Sequence, residues 1–120
     1  MSMINIILPH DFKGPSEGNL KLCQLFIDSL ISSNATRVKF SIDHQSQAVY
    51  SNESSLKEVI NLIYKTGSLE TFYHQFLTLL HKNSKGQRVL RLLNGERGLE
   101  YLVNCKSPLP DLSLEIQLFS

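Results

Sequence analysis

The residue types able to do chemistry in this 120-residue chain gather in two places, a glycine-containing loop and a basic stretch. The loop, His10-Asp11-Phe12-Lys13-Gly14-Pro15-Ser16-Glu17-Gly18-Asn19, follows an apolar run and precedes a helical pattern. In α/β folds that is where backbone N–H groups at the start of a helix hold an anion. His10, Asp11, Lys13, Gly14 and Gly18 are therefore candidates for a phosphate-ligand site. The spacing is not that of a nucleotide loop, however. Gly14-x-x-x-Gly18 lacks both the Gly-Lys-Ser/Thr ending of a P-loop and the GxGxxG fingerprint, and Lys13 precedes the glycines. A plain strand-to-helix connection capped by Ser16 or Asn19 accounts for the same composition. His10 beside Asp11 has the types for a general base and its orienting carboxylate, but sequence neighbours seldom face each other and no nucleophile accompanies them.

The basic stretch holds Lys82, Lys85, Arg88, Arg91 and Arg97 against Glu96 alone, a local excess of four positive charges. In a helix, Lys85, Arg88 and Arg91 share a face and can contact phosphates; in a strand, Arg88 and Arg91 point to opposite faces. No aromatic residue lies between Lys82 and Gly98, so the stacking platforms of single-strand binders are missing. Arg88, Arg91 and Arg97 complete the ligand-binding set, with a solvated basic face or an acidic protein partner as the alternative to nucleic acid.

Metal chemistry finds little support. There is no CxxC or HxxxH spacing among the 2 Cys and 4 His. His74 and His81, if both helical, lie two turns or about 10 Å apart, too far to share one ion. His44 sits in a polar turn. Neither a metal nor a cofactor is expected, and no catalytic residue is assigned. Cys23 lies among apolar residues at helical spacing and is expected, like Cys105, to be a reduced thiol.

The elements that must position these residues follow from the apolar periodicity. Ile4 to Leu8 reads as a short strand buried on both faces inside a sheet. Leu20, Cys23, Phe26, Ile27, Leu30 and Ile31 recur at three and four, which predicts a helix ending near Asn34. Residues 37 to 42 alternate cleanly and predict a strand with one wet side, with 47 to 51 as its hairpin partner. Ser55-x-x-Glu58 has the form of a capping box. Residues 55 to 82 then read as a helix pair divided at Gly67. Residues 87 to 104 fit strand or short helix about equally, and Leu112 to Leu118 alternate as a final strand after Pro108-x-Pro110.

Together these predict an α/β domain, with α+β possible: a two-layer sandwich of one mixed sheet of about four to five strands covered by about three helices. The whole of 1–120 is expected to be a single domain. A composition 42% hydrophobic and 19% charged is that of a globular chain, and the net charge of +1 gives no long-range field toward nucleic acid or an anionic membrane. No segment has the run of about 18 apolar residues that spans a bilayer, nor a basic stretch ahead of a long apolar one, so a cytoplasmic location is expected.

Two functional expectations follow. The first is a non-enzymatic protein-interaction module, such as a small inhibitor, immunity or adaptor protein or the interaction domain of a longer chain. It would dock another protein through an edge strand or the half-polar sheet face, with Tyr50, Tyr73, Arg37 and Lys39 as candidates. The second is a phosphate-ligand or nucleic-acid binder using the 10–19 loop and the 82–97 stretch.

Overall fold

The computed structural model describes residues 4–14, 20–43, 45–106 and 112–119. In chain order the elements are β1 (Ile4–Ile6), α1 (Lys21–Ser33), β2 (Arg37–Asp43), β3 (Ala48–Ser51), α2 (Ser54–Lys65), α3 (Leu69–Thr78), β4 (His81–Lys82), β5 (Arg88–Asn94), β6 (Arg97–Lys106) and β7 (Leu112–Phe119).

The helix and hairpin with the cleanest sequence patterns form as expected. Helix α1 buries Cys23, Phe26, Ile27 and Leu30 on one face. It stops at Asn34, whose left-handed φ of 57° lets its N–H bond Ile31 O; asparagine tolerates that region better than most residues. In β2 the alternation is complete, with Val38, Phe40 and Ile42 buried and Arg37, Lys39 and Ser41 exposed. The turn to β3 is built by Asp43, whose two carboxylate oxygens accept from the Gln45 N–H at 3.0 Å and the Ser46 hydroxyl at 2.9 Å.

Helix α2 starts one residue before the expected cap, and the capping box does not form. Glu53 is the residue ahead of the helix and makes no side-chain cap bond. The Ser55 hydroxyl instead lies 3.4 Å from Glu53 Oε1, and the Glu53 N–H bonds Ser51 Oγ. Helix α3 ends at Thr78 rather than near 82, because His81 and Lys82 pair with Val89 and Arg88 as a strand. His74 and His81 therefore do not share a helix. The undecided stretch 87–104 is a hairpin: β5 and β6 pair from Val89↔Leu102 to Asn94↔Arg97 across the two-residue loop Gly95-Glu96. Gly95 has φ +66°, the sign that the first position of a type II′ hairpin loop requires.

The expected sheet is corrected most. Among the described residues seven strands, not four or five, run in the order β1-β5-β6-β7-β2-β3, with β4 also on β5. Every pairing is antiparallel rather than mixed. A mixed sheet needs at least one parallel pair, which a helical crossover such as α1 between β1 and β2 can supply; those two strands stand at distant places in the order instead. The result is an α/β domain whose antiparallel sheet curls into a half-barrel, not a simple two-layer sandwich. Nor is β1 inside the sheet. Among the described residues it is an edge strand, with Ile4 buried, Asn5 exposed and Ile6 between.

The inward faces of the strands and the three helices share one core. Phe26 of α1 packs edge-on against Phe40 of β2, Phe72 and Phe76 at centroid distances of 5.8, 5.4 and 5.6 Å. Phe72 and Phe76 of α3 stack on each other at 5.8 Å. Each such pair adds about 0.5–1.5 kcal/mol beyond its buried area, so this cluster fixes α1 and α3 against the sheet. Among the described residues, no helix is long and apolar enough to cross a membrane.

Candidate functional site

Among the described residues, a concave feature lies between the edge of β1 and the start of α1. It is a groove of about 310 Å³ lined by Ile4, Asn5, Ile6, Leu8, Leu20, Lys21 and Gln24. Its strand wall follows from the register. Ile4, Asn5 and Ile6 oppose Asn94, Leu93 and Leu92 of β5, and the Ile7 N–H bonds Arg91 O at 2.9 Å. By the alternation of an antiparallel ladder, the backbone groups of Asn5 and Ile7 face β5 while those of Ile4 and Ile6 face away from it. Its helix wall is the first turn of α1, where Leu20 is buried and Lys21 is exposed. Leu8, at 39% exposure, stands at the rim.

The other end of the sheet is β3, against which α2 packs. There Asn52 carries the pairing past the strand: its side chain accepts the Lys39 N–H at 2.9 Å and donates to Arg37 O at 3.0 Å. The structure thereby brings three of the four interaction candidates together. Tyr50 pairs with Ser41, so it shares the outer face of β2–β3 with Arg37 and Lys39. Tyr50 is 55% exposed. Arg37 binds Glu115 of β7 at 2.5 Å through Nη2. Tyr73 is apart from them, largely buried in the core on α3.

The ligand-binding candidates are spread out. His10, Asp11 and Lys13 are exposed in the loop after β1. That loop is anchored by Phe12, which packs on the core, and by a bond from the Phe12 N–H to Pro9 O. Gly14 is accounted for by packing, since a Cβ there would meet the Phe12 ring and come within 2.8 Å of Thr78 Oγ1. Gly18 lies outside the described residues, as do Pro15, Ser16, Glu17, Asn19 and His44. Because 88–94 is a strand, Arg88 and Arg91 point to opposite faces and the helical alignment of Lys85, Arg88 and Arg91 does not occur. Arg91 lies 3.6 Å from Glu100, its cross-strand partner. Arg97 opposes Asn94 at the far end of the hairpin. Arg88 and Arg97 are thus separated by about 20 Å of strand, too far to hold one phosphate.

At the near end the β4–β5 hairpin sets Lys82 directly opposite Arg88, with Lys85 in the loop between them. Like charges so placed are unfavourable, by about 1 kcal/mol or less in water. His81 ties this hairpin to β1, its Nε2 donating to Ile7 O at 2.6 Å. This cross-strand pair and the β1 groove are the features that sequence reasoning missed.

Cys23 is a free thiol at zero exposure, its Sγ 4.0 Å from Phe72 O, and burial pushes it up to about 12. That is an inert core thiol rather than a nucleophile. Among the described residues no three His, Cys, Asp or Glu side chains cluster as a metal site. Comparison of the chain with protein-family models, with curated proteins and with solved structures found no match.

Proposed function

We propose that this domain is a non-enzymatic protein-interaction module, of the adaptor or inhibitor kind, that takes an extended segment of a partner polypeptide as an added strand on β1. The observation that carries this reading is the character of that edge. Strand β1, Ile4–Ile6, carries neither charge nor proline, two of the devices that blunt edge strands which must stay unpaired, and the apolar run continues through Ile7 and Leu8. Backbone N–H and C=O groups of Ile4 and Ile6 supply the ladder for the incoming strand, and the groove toward α1 supplies space for its alternate side chains. The exposed Tyr50 favours a second reading, in which a partner rests on the outer face of β2–β3 beside Lys39.

Panning a random-peptide display library on the purified protein tests the proposal, with selected peptides compared on two variants. Ile6→Pro removes an outward N–H but no bond to β5; Ile6→Ala trims the same side chain and keeps the N–H. The expected result is peptides of alternating apolar pattern whose binding weakens at least tenfold in Ile6→Pro and much less in Ile6→Ala. Equal binding by both variants, or loss of binding only in Tyr50→Ala, overturns the β1 site.

A further inference from the structure

We infer that the β4–β5 hairpin is a separate docking element that recognises an acidic segment of a partner protein. The inference shares the reading of the domain as protein-binding but stands on different residues from the β1 groove. From Thr71 to Gly95 the sequence contains no Asp or Glu, while Lys82, Lys85, Arg88 and Arg91 fall within it. Arg91 is engaged by Glu100. Lys82, Lys85 and Arg88 are exposed, and among the described residues none of them has an ion-pair partner.

These cations are not carried on a loose arm. Asn83 Oδ1 accepts the N–H groups of Lys85 and Gln87, both at 2.9 Å. The Asn83 N–H bonds Gln87 O at 2.9 Å, and the Gly86 N–H bonds Asn83 O at 3.0 Å. Gly86 takes φ +76°, which a glycine adopts without strain. A loop this well bonded holds Lys82 and Arg88 side by side on one face, against their mutual repulsion. A carboxylate placed between them relieves that repulsion and gains a hydrogen bond from each. The arrangement is complementary to a run of acidic side chains.

Nucleic acid fits less well. No aromatic residue in 82–97 offers bases a stacking surface.

The test uses the full chain, a fluorescent glutamate-rich peptide, the same peptide with Gln for Glu, and an oligothymidylate of equal charge, all at low ionic strength. Binding of the glutamate peptide alone is expected. It should weaken at least tenfold in Lys82→Glu and in Lys82→Gln, while the melting temperature of Lys82→Glu equals or exceeds the parent's because the new carboxylate faces Arg88. Ile6→Pro should leave it unchanged, which separates this site from the β1 groove. A lysine that only guards an edge strand would be replaceable by glutamate without loss. Unaltered peptide binding in Lys82→Glu, no binding of the glutamate peptide, or tighter binding of the oligothymidylate overturns the inference.

Discussion

Cys23 illustrates how burial decides what a reactive residue type does. Its thiol sits at zero exposure among Phe26, Ile27 and Phe72, and burial pushes its ionisation from 9.0 up to about 12. Folding thus moves the release of this proton from the ordinary thiol range up to about 12. Stability from the buried neutral thiol is therefore whole below the unfolded value and is lost as pH rises from there through the folded one. Tyr101 is raised too, chiefly by burial and against the lowering charge of Arg97, so it acts in the same alkaline direction. Urea midpoints should thus fall above pH 9, and Cys23→Ala should make that fall shallower. Peptide mapping after brief alkylation at pH 8 should find Cys23 unmodified unless the protein is unfolded; rapid native-state labelling would contradict its burial. The thiol's place was legible from its helical spacing with Phe26, Ile27 and Leu30. Tyr73 was ambiguous, because it falls on the apolar stripe with Leu69, Phe72 and Phe76 yet its polar end also suits a contact surface; the packing of α3 puts Tyr73 in the core and His74 outside.

At the scale of elements, legibility followed how one-sided each element is. Strand β2 has one wet face, so Arg37, Lys39 and Ser41 announced it, and α1 buries a single stripe. Strand β5 buries Leu90 and Leu92 inward and Val89 on the other face, which erases the alternation that separates strand from helix. Strand β4 has only His81 and Lys82, too few residues to leave a pattern. One signal for the β5–β6 hairpin was present, the Gly95-Glu96 pair between two apolar runs. Its φ of +66° makes Gly95→Ala a specific test. Space is open around Gly95, so backbone strain alone should destabilise that variant, by about 1–2 kcal/mol. Chemical denaturation measures it; an unchanged midpoint would mean the loop does not need a positive φ.

At the scale of the molecule, the candidate site depends on contacts that no local pattern encodes. The groove exists because residues 4–6 pair with 92–94, about 88 residues further along the chain, and because the start of α1 supplies its other wall. The sequence reading placed β1 inside a mixed sheet, where it would have had no free side; the antiparallel order that ends at β1 exposes it. The same order separates Arg88 from Arg97 and sets Lys82 against Arg88, redistributing a basic stretch that looked continuous along the chain.

Residue-resolved amide hydrogen exchange of the free protein tests the open edge most directly. Outward-facing N–H groups should exchange quickly at Ile4 and Ile6, while Asn5 and Ile7, which face β5, should be protected. Alternating fast and slow exchange along residues 4–7 is the predicted result. Equal protection of all four amides would show the edge already covered, and would contradict the proposal that β1 waits for a partner strand.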